Sequence, residues 1–463
     1  MAGIGFELRK YLNDDSFTGT IKAYGFAGLI SAGPWVLSIL GVMLIGIVAL
    51  SQNISGSNIK QFTTSVTWIM GASLVLTGLL QLVFTRFVAD RLFELKDEIV
   101  NANLLGAIAL TTFVSGAIAI VLALTVFNES FAYEFLMIAN FVTLSNIWIV
   151  VIFVAGLKQF KLILYAFAVG YGTTLGLSIL LLPFGLNGLL AGLLIGHAVL
   201  LFLMVGVVLP EYPVRAQLRF DFLRRRLIFP SLIAIGFLYN FGIWIDKLLF
   251  WLTPGTSEAV IGPLRASIIY DLPIFLAYLS IIPGMAVFLL RIETDFAEAY
   301  EGFFEAVRGN ASLQEIELMG NQMVSAVREG LFQIVRVQGA TVVILYLLGP
   351  TLVKWLGISD AYVHLYYINL VGVAAQVLML AVLNVLFYLD KLRDALILTA
   401  TLCVTNALFT WITLQVGPQY YGYGFGISMT TTAFAGIMLL SREMDNIEFR
   451  TFMRARHTSG AAA

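Results

Sequence analysis

Two opposite charges stand side by side in an apolar stretch of the chain. Asp246 and Lys247 occur within GIWIDKLLFWL, residues 242–252, and Asp271 follows near the start of another apolar run. Adjacent residues of a helix point about 100° apart, so these two charges are not expected simply to neutralise each other. We predict a Lys247–Asp271 ion pair that acts as a gate, with Asp246 facing a neighbouring helix or a lumen. Alternatively, a carboxylate binds a coupling ion, or Lys247 extends to a polar surface.

Aromatic and amide side chains recur at helical spacing in three apolar segments. The spacing predicts a ligand path lined by Tyr24, Ser31, Trp35, Asn240, Trp244, Tyr366, Asn369 and Gln376. Flat rings cover the C–H faces of a sugar and amides bond its hydroxyl groups, although the same groups suit many drugs. Pro34 is expected to kink the first of these helices. The alternative is ordinary hydrogen bonding between helices, with aromatic residues at a membrane surface.

Patterns for other chemistry do not occur in the sequence. There is no GxxxxGK[ST] phosphate loop, the three histidines are scattered, and Cys403 is the single cysteine. We therefore predict no metal, no cofactor, no catalytic residue and no nucleic-acid partner. The chain is expected not to be an enzyme.

The segments that carry these residues are long enough to cross a bilayer. Hydrophobic residues make up 59% of the 463 residues and charged residues 12%, about half the charged fraction of soluble proteins. A membrane helix needs about 20 apolar residues. We predict an all-α polytopic membrane protein with twelve transmembrane helices, near residues 23–49, 64–88, 103–127, 132–157, 162–184, 187–209, 228–252, 267–290, 335–352, 361–388, 394–416 and 420–440.

The basic residues predict the orientation of these spans. With the N-terminus inside, all but Lys60, Arg265, Lys354 and Lys247 of the 27 lysines and arginines lie on the cytoplasmic side. Because basic loops stay in the cytoplasm, we predict that both termini are cytoplasmic.

A basic linker divides the chain into two halves of six spans around a central cavity. The predicted parts are a cytoplasmic N-terminal segment 1–22, a first half 23–210, a linker 211–227, a second half 228–440 and a cytoplasmic tail 441–463. Paired halves are a common transporter plan. An unrelated run of helices is the alternative, since no sequence repeat links the halves.

The longest polar stretch, residues 291–334, predicts an amphipathic cytoplasmic insert. Phe296, Tyr300 and Phe303 recur at helical spacing, while acidic residues occupy the other positions. We predict that these three aromatic residues dock a cytoplasmic partner. The alternative is a helical hairpin packed on the protein's own inner surface.

The opening GIGFELRKYL, followed by YGFAGLISAGPW, resembles the inner-membrane transporter of the bacterial Pel exopolysaccharide system. That family is similar to a distant branch of the multidrug, oligosaccharidyl-lipid and polysaccharide flippase superfamily. The resemblance implies a bacterial inner-membrane protein that moves a polymer rich in N-acetylhexosamines from a cytoplasmic glycosyltransferase to the periplasm. It also implies small inner-membrane partners, one of them a cyclic di-GMP sensor. A lipid-linked oligosaccharide or multidrug flippase driven by an ion gradient, and a scaffold for the synthase, are the alternatives.

Overall fold

The protein is a bundle of long helices, seen in a computed structural model. The structure describes residues 8–11, 16–51, 56–154, 160–213, 218–224, 227–309, 311–355, 359 and 362–447. In this part of the chain, ten helices are long and apolar enough to cross a membrane, and two bent helix pairs bring the number to twelve. The predicted twelve-helix membrane fold is confirmed.

The first half contains six helices, each of which corresponds to one predicted span. They are α1 (Phe17–Ser51), α2 (Gly56–Phe93), α3 (Val100–Thr125), α4 (Phe131–Val154), α5 (Phe160–Leu180) and α6 (Gly185–Val208). Helix α1 bends by 87°, and Gly33 at the bend has φ +63° and ψ −172°. The predicted kink is present, and it lies at the glycine before Pro34, where a residue without Cβ adopts a positive φ at little cost.

The second half contains the other six spans, two of which are made of shorter helices. The seventh span is α7 (Pro230–Gly242) with α8 (Ile245–Leu252), and the eighth is α9 (Ile268–Tyr278) with α10 (Ile281–Leu290). A π-helix, Arg291–Phe296, leads into α11 (Ala297–Arg308). The remaining helices are α12 (Leu313–Trp355), α13 (Val363–Tyr388), α14 (Leu392–Val416) and α15 (Tyr423–Asp445).

A short antiparallel hairpin joins the seventh and eighth spans. Its strands are β1 (Glu258–Ile261) and β2 (Leu264–Ala266), in the register Glu258 opposite Ala266. We call the end of the bundle that carries this hairpin the hairpin face. The opposite end carries residues 209–213 and 218–224, helix α11 and the turn at Asp390, and we call it the linker face.

The two halves repeat the same pattern of helix contacts. In the first half α1 packs on α5, α2 on α4, α3 on α4, and α6 on both α4 and α5. In the second half α7 and α8 pack on α14, α9 and α10 on α13, α12 on α13, and α15 on both α13 and α14. Each contact therefore has its counterpart six spans later, and both halves begin with a bent span. This arrangement is that of two related six-helix halves.

The halves meet along two helix pairs, α1 with α10 and α2 with α7. The second pair is close because both helices present glycine: a Cβ on Gly236 would lie 2.1 Å from the Gly78 carbonyl oxygen. Small residues let helix backbones approach in a membrane, where burial of apolar surface alone does not drive association.

Hydrogen bonds attach the linker to the start of α3. Asn101 Nδ2 donates to the carbonyl oxygens of Leu209 and Tyr212 at 2.8 and 2.6 Å, and Asn103 Oδ1 accepts from the backbone N–H of Asp221 at 2.8 Å. These bonds hold the connection between the halves against the first half.

Candidate functional site

A cavity of about 620 Å³ lies between the two halves. Its wall is formed by α2 and α4 of the first half and by α7, α10, α13 and the π-helix of the second. The polar groups of the wall come from tyrosine, amide, hydroxyl and charged side chains: Gln81, Thr85, Arg86, Tyr239, Asn240, Glu293, Asn384 and Tyr388. Cavities of this size bind small organic ligands in many proteins.

The two charged groups of this wall differ in their partners. The Arg86 guanidinium lies 3.0 Å from an Asp90 oxygen and 3.3 Å from an Asp390 oxygen, so two carboxylates compensate its charge. Glu293 forms no ion pair with any residue that the structure describes. Among the described residues, the cavity therefore offers one carboxylate without an ion-pair partner, surrounded by neutral hydrogen-bonding groups.

The π-helix determines where Glu293 lies. Thr294 Oγ1 bonds the Leu289 carbonyl oxygen at 3.0 Å, and Arg291 is held by Asp295 at 2.7 Å and Gln333 at 2.7 Å. A π-helical turn contains one residue more than an α-helical turn, which rotates the side chains that follow it. The sequence pattern gave no signal for this turn, and Glu293 was not among the predicted path residues.

The hairpin face is closed over this cavity by contacts between the halves. Trp68 Nε1 donates to the Arg265 carbonyl oxygen at 2.8 Å, and the Trp68 ring centroid lies 4.7 Å from that of Trp251. Lys60 at the start of α2 pairs with Glu258 of β1. At the linker face, by contrast, the cavity extends to Arg86, Tyr388 and Leu392. The molecule is thus closed at the hairpin face and has its central cavity on the linker side.

Asp246 and Lys247 lie where the seventh span breaks, and they bind each other. Lys247 Nζ is 3.1 Å from Asp246 Oδ2 and donates to the Ile243 carbonyl oxygen at 2.9 Å. The ring centroids of Tyr278 and Phe425 lie 5.1 and 5.2 Å from the ammonium. The predicted pairing of Lys247 with Asp271 is therefore wrong, and so is the extension of Lys247 to a polar surface, since its side chain is 1% exposed.

The partners of Asp246 also belong to the break. Tyr270 donates its hydroxyl to Asp246 Oδ2 at 2.6 Å, and Asn406 Nδ2 reaches both Asp246 Oδ1 and the Gly242 carbonyl oxygen, at 3.3 and 2.8 Å. The carbonyl oxygens of Gly242 and Ile243 lose helical partners where the helix is interrupted, and Asn406 and Lys247 satisfy them. The charged pair with its neighbours thus holds a bent span together inside the second half.

Asp271 has a different role from the predicted one. Its carboxylate accepts from Trp251 Nε1 at 2.8 Å and from the backbone N–H of Ser267 at 2.9 Å. It caps the start of α9 and fixes the indole that closes the hairpin face.

The predicted ligand-path residues fall in several places. Asn240 lines the central cavity, whereas Trp244 lines a separate apolar cavity and packs on Gly71. Tyr366, Asn369 and Gln376 are 1%, 0% and 2% exposed inside the second half and are not part of the cavity wall. The reason is that their face of α13 packs against α15 and the eighth span.

Tyr24 and Ser31, the predicted residues of the first span whose side chains the structure describes, do not contribute to the cavity wall either. Tyr24 lies within hydrogen-bond reach of Arg291, and Ser31 Oγ bonds the Ala27 carbonyl oxygen at 2.6 Å. The side chain of Trp35 lies outside the part of the molecule that the structure describes. Projection of the second span would have found Gln81, Thr85 and Arg86, which recur at helical spacing.

The aromatic residues of the insert face inward, which corrects their predicted role in docking. Phe296 and Phe303 are fully buried, and the rings of Phe296 and Tyr300 each lie 5.4 Å from that of Tyr388 in α13. Phe296 and Phe303 attach α11 to the protein's own linker face and are not available to a partner, while Tyr300 is half-buried against Tyr388. Glu298, Glu301 and Glu305 form the exposed side of the helix.

Metal ligands do not cluster in the described ranges. No group of three or more histidine, cysteine, aspartate or glutamate side chains there could hold a metal ion.

The fold resembles that of solved MATE and other MOP superfamily transporters. An outward-facing MATE multidrug resistance transporter of the MOP superfamily matches with a TM-score of 0.68 and 13% sequence identity, over 92% of this chain and 96% of that one. A MOP superfamily transporter from Pyrococcus furiosus matches with a TM-score of 0.63 and 12% identity, over 92% and 98%. A MATE structure in the straight conformation gives 0.64 and 13%, over 92% and 96%. No curated protein sequence matches the chain.

The sequence also matches a family directly. The model of the PelG family, described as "Putative exopolysaccharide Exporter (EPS-E)", matches residues 1–452. The chain belongs to this family, and it is a multi-pass membrane protein with a transporter fold. The resemblance inferred from the N-terminal motif is confirmed.

Proposed function

We propose that the chain exports an N-acetylhexosamine-rich, Pel-like exopolysaccharide from a cytoplasmic synthase to the periplasm. The observation that carries the proposal is the central cavity, whose tyrosine and amide side chains lie between two halves closed at one face. The membership in an exopolysaccharide exporter family supports the substrate class. The polymer would enter at the linker face and leave when the halves part at the hairpin face.

The chemistry of the cavity wall suits a nearly neutral glycan. Tyr239 and Tyr388 offer flat apolar faces, while Gln81, Asn240 and Asn384 offer amide groups. Arg86 is already neutralised by Asp90 and Asp390, so an anionic polymer would find no free cation here among the described wall residues.

The proposed orientation places the linker face in the cytoplasm of a bacterium, with the chain in the inner membrane. Arg86, Arg219, Arg224, Arg291 and Lys391 all lie at that face. Basic residues are retained on the cytoplasmic side during membrane insertion.

The proposed partners are a cytoplasmic glycosyltransferase and small inner-membrane proteins, including a cyclic di-GMP sensor. Because Phe296 and Phe303 are buried and Tyr300 packs on Tyr388, the exposed acidic side of α11 is the surface that we propose for docking. Its chemistry would recognise a basic surface on the partner.

The export proposal is tested with an Asn384→Leu variant. The Asn384 side-chain oxygen has no hydrogen-bond partner in the described structure, so its loss removes a contact to ligand without breaking an internal bond. We expect less secreted polymer at an unchanged protein level, measured by hexosamine analysis of the culture medium. The control is Thr431→Leu, at an exposed site on α15. Equal export by both variants would contradict the proposal and favour a scaffold role.

A second candidate is a lipid-linked oligosaccharide or multidrug flippase driven by an ion gradient, and Glu293 is the observation that favours it. A carboxylate in a membrane cavity, without an ion-pair partner among the described residues, suits a cation or a proton. The Glu293→Gln variant distinguishes the two candidate functions. If the ion-driven flippase is correct, this variant should lose uptake of a fluorescent cationic drug into inverted vesicles. Normal polymer export by this variant, without drug transport in the parent protein, would support the first.

A further inference from the structure

A second cavity, of about 550 Å³, lies on the side of the molecule near the hairpin face. We call it the side cavity. It is lined almost entirely by apolar groups from both halves, among them Trp68, Ala123, Phe141, Phe241, Trp244 and Leu264. Glu134, in the first turn of α4, is the one charged residue of its wall. A wall with so few polar groups does not hold water.

The side cavity opens toward the hydrocarbon of the bilayer. Leu79, Ile118, Leu122 and Val126 form its rim and are exposed on the outside of the bundle. Leu79 belongs to the membrane-spanning helix α2 and Ile118 and Leu122 belong to α3, which ends directly before Val126. The material that surrounds the opening is therefore lipid, and an acyl chain is the apolar occupant within reach.

The charges near the hairpin end of the cavity favour one class of headgroup. Glu134 Oε1 accepts from the backbone N–H of Glu129 at 3.0 Å, and the carboxylate forms no ion pair with a described residue. Lys60 is paired with Glu258, and Arg265 bonds the Trp251 carbonyl oxygen at 3.0 Å. An ammonium headgroup finds here a carboxylate without an ion-pair partner among the described residues, whereas an anionic headgroup finds Lys60 paired and Arg265 hydrogen-bonded to the protein.

The side cavity forms only where the two halves are in contact. Helices α2, α3 and α4 form one wall, and α7, α8 and β2 form the other. The contact of Trp68 with Trp251 that closes the hairpin face forms part of the same wall. A ligand that binds one of two states shifts the equilibrium toward that state.

We propose that the side cavity binds one acyl chain of a zwitterionic, amine-bearing phospholipid from the leaflet at the hairpin face, with the headgroup ammonium at Glu134. The bound lipid stabilises the form in which the hairpin face is closed. This inference does not depend on which solute the central cavity carries.

The test uses tryptophan quenching in vesicles of phosphatidylethanolamine brominated on one acyl chain. Trp35, Trp355 and Trp411 are changed to phenylalanine, which leaves Trp148 and the three tryptophans of the side cavity. All three of these tryptophans line the side cavity, so a brominated acyl chain inside it lies beside their indole rings. We expect strong quenching, and weaker quenching in brominated phosphatidylglycerol.

Two substitutions on α3 separate the cavity from the outer surface of the helix. Ala123→Phe fills the cavity and should lose the quenching, while Ala117→Phe, at an exposed site on the same helix, should retain it. Glu134→Gln should keep the quenching but remove the difference between the two lipids. Thermal unfolding shows which variants are folded. Equal quenching of folded Ala123→Phe and Ala117→Phe, or equal quenching by both lipids in the parent, would overturn the proposal.

Discussion

At the scale of single residues, Asp246 and Lys247 show why two adjacent charges occur in an apolar span. On a continuous helix the two side chains would diverge, but the span breaks between α7 and α8, and Lys247 turns back to the free carbonyl oxygen of Ile243. From that position its ammonium also reaches Asp246. Lys247, held by Asp246, and Asn406 together satisfy the carbonyl oxygens that the break leaves without helical partners.

Lys247→Met should destabilise the protein more than loss of the pair as a whole. The single change leaves the Asp246 carboxylate buried without a counter-ion, at a cost of about 3–5 kcal/mol. The double variant Asp246→Asn with Lys247→Met should recover part of that loss. Thermal unfolding in detergent measures both, and a double variant less stable than either single variant would contradict the pairing.

Asp271→Asn is the control that distinguishes the observed pair of Lys247 with Asp246 from the predicted pair of Lys247 with Asp271. Because Asp271 bonds Trp251 and Ser267, its effect on unfolding should couple to that of Lys247→Met more weakly than the effect of an Asp246 substitution does. A coupling energy larger than that of Asp246 with Lys247 would restore the original Lys247–Asp271 prediction.

At the scale of elements, apolar length predicted the spans well, and the breaks were harder to predict. Twenty apolar residues must form a helix in a bilayer because every backbone group needs a partner. The interruption at Ile243 and Trp244 depends on Asn406, which is remote in sequence, so the local pattern contained no signal for it. The insert was similar: its helical spacing was evident, but spacing alone does not show which surface covers the apolar side.

Substitutions on the buried side and on the exposed side of the insert should have different effects. Phe303→Ser removes a fully buried ring and should cost about 3–5 kcal/mol of stability. Glu301→Lys with Glu305→Lys changes only exposed positions and should leave the protein folded while reducing copurification of a cytoplasmic partner. Unchanged copurification in a folded charge-reversed variant would show that the acidic side of α11 binds no cytoplasmic partner.

The glycine contact between α2 and α7 predicts how tightly the halves must fit. A Cβ at Gly236 would lie 2.1 Å from a backbone oxygen, which cannot move without shifting α2. Gly236→Ala should therefore separate the helices and reduce export. Gly206→Ala, where nothing lies within 4 Å, is the control. Normal export by Gly236→Ala would show that this contact is not required.

At the scale of the whole molecule, two related halves that contact each other at the hairpin face support the proposed export by alternating access. The two-half plan was predicted from span count and the linker, and the repeated helix contacts supply its structural basis. The central cavity was predicted only in outline. Of the eight predicted path residues Asn240 lines it, because a polar stripe does not distinguish a cavity wall from a polar contact between packed helices.

Orientation is tested with reporter fusions. Fusions at Leu313 and at the C-terminus should report a cytoplasmic position, and fusions near Ser57 and Gly417 a periplasmic one. A periplasmic signal at Leu313 would reverse the proposed direction of transport.

The most direct measurement asks whether the hairpin face must open. Lys60→Cys and Glu258→Cys, in a chain with Cys403→Ala, place two thiols at the positions of the ion pair between the halves. A short bis-maleimide should join them and stop polymer export, while each single-cysteine variant treated in the same way keeps exporting. Export at the normal rate by fully cross-linked protein would contradict the account.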